Sequence, residues 1–215
     1  LVNGLARNRI VRLNTDGTVD TSFDAGSGFS DSVQEIGVQP DGRVVAVGHF
    51  TSVNGVNRNR IARLNSDGSV DDTFNPGGGA NNPILDMLVQ PDGRTVIVGD
   101  FSSFNGVSRK GVARINSDGT LDETFGLGDG PDFSVHAVVM QRDGRVIIAG
   151  DFKNYDGVAF EGVVRLNPDG SIDKSFNSAL GFDDSVRCIA LQEDGRIVIG
   201  GFFSHVGNAA RGRIA

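Results

Sequence analysis

The stretch SVQEIGVQPDGRVVAVGHFTSVNGVNRNRIARLNSDGSVDDTF, residues 32–74, decides the fold. It holds four short apolar-rich runs. Asp41-Gly42 joins the first run to the second, and Asp67-Gly68 joins the third to the fourth. Asp-Gly between β-branched runs signals a hairpin, because glycine accepts the positive φ that a tight turn needs. The unit then returns along the chain. QPDGR at 39–43 recurs as QPDGR at 90–94, QRDGR at 141–145 and QEDGR at 192–196, a step of 51 residues each time. The other turn keeps that step at Asp16, Asp67, Asp118 and Asp169, each followed by glycine. A fixed period with four strand-like runs per copy predicts an all-β chain, a β-propeller with one four-stranded blade per repeat.

With the strands of a blade lettered A to D, the chain opens inside a repeat. Residues 1–8 match the loop at 52–59, and Arg9–Asn14 and Thr18–Phe23 then form a C–D hairpin around Asp16-Gly17. Three full copies follow at 32–74, 83–125 and 134–176, with A strands beginning near Val33, Ile84 and Val135. The last copy, 185–215, has A and B strands at Val186–Gln192 and Arg196–Phe203 and ends on Arg213-Ile214-Ala215, where a C strand would begin. The B strands RVVAVGHF, RTVIVGDF, RVIIAGDF and RIVIGGFF are apolar on both faces, as a strand sandwiched between neighbouring blades should be. Phe50, Phe101, Phe152 and Phe203 end the B strands and Phe23, Phe74, Phe125 and Phe176 end the D strands, so these rings are expected between blades.

Residues 205–215 are a second copy of residues 1–11, and both compete for the strand slot beside the last B strand. Propellers commonly close by letting one terminus complete the blade begun by the other. The N-terminal copy is longer and carries its D partner. It is therefore expected to win the slot, making residues 1–215 one four-bladed domain. The rival reading is four consecutive blades of a larger ring.

The formal net charge of −7 argues against a nucleic-acid partner, since phosphate binding needs clustered Lys and Arg. The single cysteine, Cys188, allows no internal disulfide and fits no metal-site spacing. No apolar run approaches the roughly 18 residues of a membrane span. A beginning in mid-repeat without Met suggests a piece of a longer chain.

The combination QPDGRVVAVGHF…NGVNRNRIARLNSDGSVDDTF resembles the bacterial delta-sixty repeat family, and the strand order is similar to NHL-type propellers. The resemblance covers nearly the whole chain. It implies large, often secreted or surface-associated bacterial proteins built of tandem copies, and it carries over no catalytic residue. Gly207-Asn208 departs from the pattern, standing where other copies have Asn-Gly or Asp-Gly.

The segment Asn14-x-Asp16-Gly17-x-x-Asp20 and its repeats superficially suggest a calcium loop. That pattern requires a further bidentate acid, where this chain has a strand ending in Phe. Local turns stabilised by Asn and Asp side chains are the expected reading, with no cofactor. The repeated arginines Arg12, Arg63, Arg114 and Arg165, and Arg43, Arg94, Arg145 and Arg196, are expected to pair with repeated aspartates across blades. Function should lie where the repeats disagree, on the face carrying the long B–C and D–A connections. The ligand-binding candidates there are Phe104, Phe133, Tyr155, Phe160, Asp100, Asp151, His136 and Arg187. No nucleophile–base or metalloprotease motif appears. The expected role is a non-enzymatic extracellular or cell-surface module that binds a glycan or a protein. The alternatives are a glycan hydrolase or lyase using Asp100 and Asp151, and a calcium-stabilised structural repeat.

Overall fold

The computed structural model describes residues 2, 4, 7–176 and 181–215, and among these there are strands and turns but no helix. The first repeat contains β1 (Val33–Val38), β2 (Val44–Gly48), β3 (Ser52–Val53), β4 (Val56–Asn57) and β5 (Ile61–Leu64). The second contains β6 (Ile84–Val89), β7 (Thr95–Gly99), β8 (Ser103–Phe104), β9 (Val107–Ser108) and β10 (Val112–Ile115). The third contains β11 (Val135–Met140), β12 (Val146–Gly150), β13 (Asn154–Tyr155), β14 (Val158–Ala159) and β15 (Val163–Leu166). The last contains β16 (Val186–Leu191), β17 (Ile197–Gly201), β18 (His205–Val206) and β19 (Ala209–Ala210). The A, B and C strands form antiparallel sheets in the orders β1-β2-β5, β6-β7-β10 and β11-β12-β15, and β16 pairs with β17. These propeller-like repeats pack one against the next.

Two features differ from the expected blade. The D strand is reduced to a single bridge, Leu64 with Val70 in the first repeat and its equivalents elsewhere. The cause is the next residue. Asp71 Oδ1 accepts bonds from the Thr73 amide at 2.9 Å and the Thr73 hydroxyl at 2.6 Å, which turns the backbone out of the ladder. The B–C connection also contains its own hairpin, β3 with β4. Asn54 and Gly55 at its tip both have positive φ, as a type I′ turn requires. In the last repeat Gly207 alone takes positive φ at the tip, the position where a type II′ turn favours glycine, so the swapped Gly207-Asn208 still makes the hairpin β18–β19.

The core lies in layers between successive sheets. Ala46 of β2 faces Phe23, Phe29 and Phe50, while Val45 and Val47 on its other side join Phe74, Ile84 and Phe101 of the next layer. This is why the B strands are apolar on both faces. The repeated arginines pair within their own sheets, correcting the expectation of pairing across blades. Arg63 Nε bonds Asp71 Oδ2 at 2.7 Å, its guanidinium lies over the Phe74 ring, and Arg43 Nε reaches the same carboxylate at 3.3 Å. What Arg63 reaches across the gap is a backbone carbonyl, that of Ser117.

The slot beside β17 is also filled otherwise than expected. Ile199 N bonds Ala215 O at 2.8 Å, Ala215 N bonds Ile199 O at 2.9 Å, and Gly201 N bonds Arg213 O at 3.1 Å. The C-terminal copy therefore takes the C-strand place, and Arg9–Asn14 do not complete the last blade. The N-terminal C–D pair packs instead on the first sheet, where Asp24 N bonds Asp67 O at 2.7 Å and Arg12 reaches Ser66 O at 2.6 Å. The inner strands make contact in the order β1, β6, β11, β16.

Each B strand ends on a glycine that its A strand requires. A Cβ on Gly99 would stand 2.4 Å from the Pro83 carbonyl oxygen, and one on Gly48, Gly150 or Gly201 would be as close to the matching carbonyl. Gly99→Ala should lower unfolding stability by roughly 1–3 kcal/mol, the usual cost of overpacking. Chemical denaturation checks this, and an unchanged midpoint would show that the A strand can move aside.

Candidate functional site

The A–B and C–D turns gather on one face, where Gln39, Asp41, Asp92 and Ser117 line one groove. A groove of about 530 Å³ on this face lies between the Gln141–Asp143 and Gln192–Gly195 turns; its Gln, Asp and Gly recur in every repeat, whereas Met140, Arg142, Leu191 and Glu193 do not. The B–C and D–A connections occupy the other face. One side chain per D–A connection clamps the following B–C connection. Asn81 Oδ1 accepts the amides of Ser102 and Ser103, Asp132 Oδ1 those of Lys153 and Asn154, and Asp183 Oδ1 those of Ser204 and His205. Those amides, with the Ser204 hydroxyl, hold the Asp183 carboxyl well below the usual carboxylate range. The loops of this face are thus tied to one another by side-chain bonds to backbone amides.

Of the eight predicted residues, the structure brings three together. His136 on β11 places Nε2 2.8 Å from Asp151 Oδ2. Arg187 on β16 brings NH1 to 2.8 Å from the same His nitrogen and NH2 to 3.8 Å from Asp151 Oδ2. Ser185 donates its hydroxyl to Asp151 Oδ1, and the Arg187 guanidinium lies 5.2 Å from the centroid of the exposed Phe202 ring. Burial alone would raise the Asp151 carboxyl, but the Ser185 hydroxyl, His136 and Arg187 together hold it below its ordinary value. The two contacts at His136 Nε2 exclude each other. With a proton there the nitrogen donates to Asp151, and without one it accepts from Arg187. When it donates, Arg187 NH1 has hydrogens left for another acceptor.

The other five stand apart. Phe104 and Tyr155 are core residues, correcting their reading as contact aromatics. They fill the column that holds Val53 and Val206 in other repeats, and each bridges the preceding D–A connection, Phe104 to Ala80 and Tyr155 to Pro131. Burial pushes the Tyr155 hydroxyl far above its ordinary range. Phe160 packs partly buried against the layer of Phe125 and Phe152. Asp100 and the exposed Phe133 line a separate cleft of about 240 Å³ between the second and third sheets, whereas Asp151 lines one of about 210 Å³ between the third and fourth. Ser185 and Phe202 were not anticipated. Phe202 breaks the column His49, Asp100, Asp151, and that break was readable.

A family model described as a domain of unknown function (DUF5122) beta-propeller matches residues 1–23, 39–74, 90–125, 141–176 and 192–215. The chain belongs to this family. Among solved structures, the DUF5122 chain is similar to the WD40 β-propeller domain of Doa1, with TM-score 0.58 and 15% identity over 86% of this chain and 52% of that one. It is also similar to the extracellular domain of a putative hybrid two-component system, BT4673, from B. thetaiotaomicron, with TM-score 0.53 and 12% identity over 91% of this chain and 25% of that one. The chain thus spans about half or less of the length of these structures. At such identities the likeness shows the fold. No functionally curated protein matches the chain.

Asp86 lies beside this face at the bulge of β6. Its carboxylate accepts the amides of Met87 at 2.7 Å and, in the next sheet, Val138 at 2.8 Å. Burial pushes it from the ordinary 3.8 up to about 6; the two amides oppose that shift and Glu35 adds to it. A raised folded pKa means stability that is fully present below about pH 4 and lost as the pH rises through about 6. At about 1.4 kcal/mol per pH unit the loss is of the order of 3 kcal/mol. Asp86→Asn, neutral at every pH, should flatten the stability profile between pH 4 and 6.5. Denaturation midpoints across that window check it, and parallel profiles for the two proteins would rule it out.

Proposed function

We propose that the chain is a non-enzymatic binding module of an extracellular or cell-surface bacterial protein, with blades of the delta-sixty type. Its ligand, a surface glycan or a protein segment, is gripped on the face of the B–C and D–A connections. The observation that carries this reading is the group of Arg187, His136, Asp151 and Ser185 beside the exposed ring of Phe202. An aromatic plane next to a cation and a carboxylate suits the apolar and hydroxyl faces of a sugar or the side chains of a peptide. The group stands where the repeats differ, at the starts of β11 and β16 and on the loops beside them.

The same geometry disfavours the hydrolase or lyase reading. A general acid needs a raised pKa, and Asp151 is held down as a carboxylate. Asp100 and Asp151 line separate clefts. The reading includes no calcium. In each repeated turn the first aspartate is engaged locally, as where Asp67 Oδ1 accepts the Ser69 amide and hydroxyl. The net charge of −7 keeps nucleic acid out of the reading.

A glycan and peptide array identifies the ligand, and the same compounds are then followed for turnover. Arg187→Ala and Phe202→Ala should each weaken binding about tenfold or more, equivalent to about 1.4 kcal/mol. No product should form. Turnover, or affinity indifferent to both substitutions, would refute the proposal.

A further inference from the structure

The first repeat fills a place that the second leaves open. Arg60 stands just before β5 with φ +66°, in the left-handed region that side chains resist, and its NH1 donates to the His49 carbonyl just after β2. One repeat on, Gly111 takes the same backbone conformation, with φ +62°, and has no side chain to send. The carbonyl that matches that of His49 belongs there to Asp100. Asp100, Gly111 and Phe133 all line the cleft of about 240 Å³ between the second and third sheets. That volume lies below the roughly 300 Å³ at which small-molecule pockets begin, and it suits one long side chain.

We propose that this cleft takes an arginine side chain from a partner protein, its guanidinium placed against Asp100 as that of Arg60 is placed against His49. Three observations point to a guanidinium. Arg60 already puts one at the matching place of the first repeat. The exchange of His49 for Asp100 adds a carboxylate beside the carbonyl, and among the described residues nothing bonds or pairs with the exposed Asp100 side chain. Phe133, 65% exposed, adds a ring to the same cleft. Carboxylate, ring and carbonyl are the groups that hold Arg63 in this fold, through Asp71, Phe74 and the Ser117 carbonyl. A lysine would reach the carboxylate, but its ammonium has no planar face for the ring and no divergent donors for the carbonyl.

Two neighbours sharpen the assignment. Lys110 also lines the cleft, but it is exposed and forms no ion pair among the described residues, so it leaves Asp100 uncompensated. In the cleft between the third and fourth sheets Gly162 likewise carries no side chain. There Asp151 is already held by His136, Ser185 and Arg187, and Asp184 stands in the place of Phe133. The Asp100 cleft is separate from the Arg187 group, so the proposal holds whichever ligand that group grips.

The test titrates N-acetyl-arginine amide into the isotope-labelled 215-residue chain and follows its backbone amides by NMR. Saturable shifts are expected at Gly99, Asp100, Gly111 and Phe133. N-acetyl-lysine amide should bind about fivefold more weakly, and uncharged N-acetyl-citrulline amide should not bind. Asp100→Asn should weaken the arginine probe about tenfold, and Phe133→Ser about threefold. Gly111→Arg combined with Pro131→Ala copies Arg60 and Ala80 of the first repeat and removes the proline carbon that would stand 2.9 Å from a Cβ at Gly111. This double variant should close the cleft and abolish binding. The proposal is overturned by the absence of saturable shifts, by equal affinity for the citrulline probe, or by shifts centred on Asp151 and Ser185. Binding that is indifferent to Asp100→Asn, or that survives the double variant, overturns it too.

Discussion

The structure depends on one recurring contact, an arginine held between a carboxylate and an aromatic ring. Arg63 uses its whole fork: Nε to Asp71, NH1 to Gln39 Oε1 and to the Ser117 carbonyl, and NH2 to the Thr73 hydroxyl, all above the Phe74 ring. Arg12, Arg114 and Arg165 repeat the core of this arrangement with Asp20, Asp122 and Asp173. Lysine could not replace them, because a single ammonium has neither the planar face nor the divergent donors. Losing one member of a pair as buried as Arg63–Asp71 costs about 3–5 kcal/mol, since the remaining charge is stranded. The carboxylates answer to the same contact. Despite burial, the Thr124 hydroxyl and amide and Arg114 hold Asp122 down at about 2, so this contribution fades only in acid, opposite in sign to that of Asp86.

These contacts leave the two faces of the array with different duties. On one, short Asp-Gly turns repeat with little change and serve the packing of sheets. On the other, the D–A clamps let the side chains around Asp151 vary while the backbone beneath them stays fixed. The aromatic residues divide accordingly. Phe50, Phe101, Phe152 and Phe203 hold the layers together, and Phe202, one residue away from that buried column, faces solvent beside Arg187.

Much of this was legible in the sequence. The Asp-Gly turns placed the A, B and C strands closely, and the doubly apolar B strands announced their sandwiched position. The D strand was less legible because its apolar pattern favours a ladder while Asp71 draws its own backbone out of one, and the two effects compete at neighbouring residues. The hairpin β3–β4 was signalled by Asn54-Gly55, but its strands are only two residues long. The winner of the slot beside β17 was hidden because both copies open on the same Arg-Ile pair and the greater length of the N-terminal copy pointed the wrong way. Arg213–Ala215 reach it through a short loop, whereas Arg9–Asn14 would have to close most of the chain, and loop closure favours the shorter path. At the candidate site, His136 and Arg187 stand out against Gln34 and Leu85 of the other repeats, whereas Asp151 repeats Asp100 and was read from its place on the variable face. Phe104 and Tyr155 misled because they were read singly; read as a column with Val53 and Val206 they are ordinary core.

Several of the bonds that join one repeat to the next share a further property. Arg12 and Arg114 end on the carbonyls of Ser66 and Pro168, Gln39 Nε2 ends on that of Gly93, and Asn75 N ends on that of Asp118. Every non-terminal residue offers the same carbonyl, so the acceptor's side chain is not consulted. Serine and proline serve equally well in that place. A repeat copied and inserted by recombination would find its connections ready without a matching change in its neighbour. An array joined in this way can lengthen or shorten by whole units, and mutations can accumulate on the opposite face of each unit independently. The joints thus make the fold tolerant of duplication, while the loops give each duplicate something different to become.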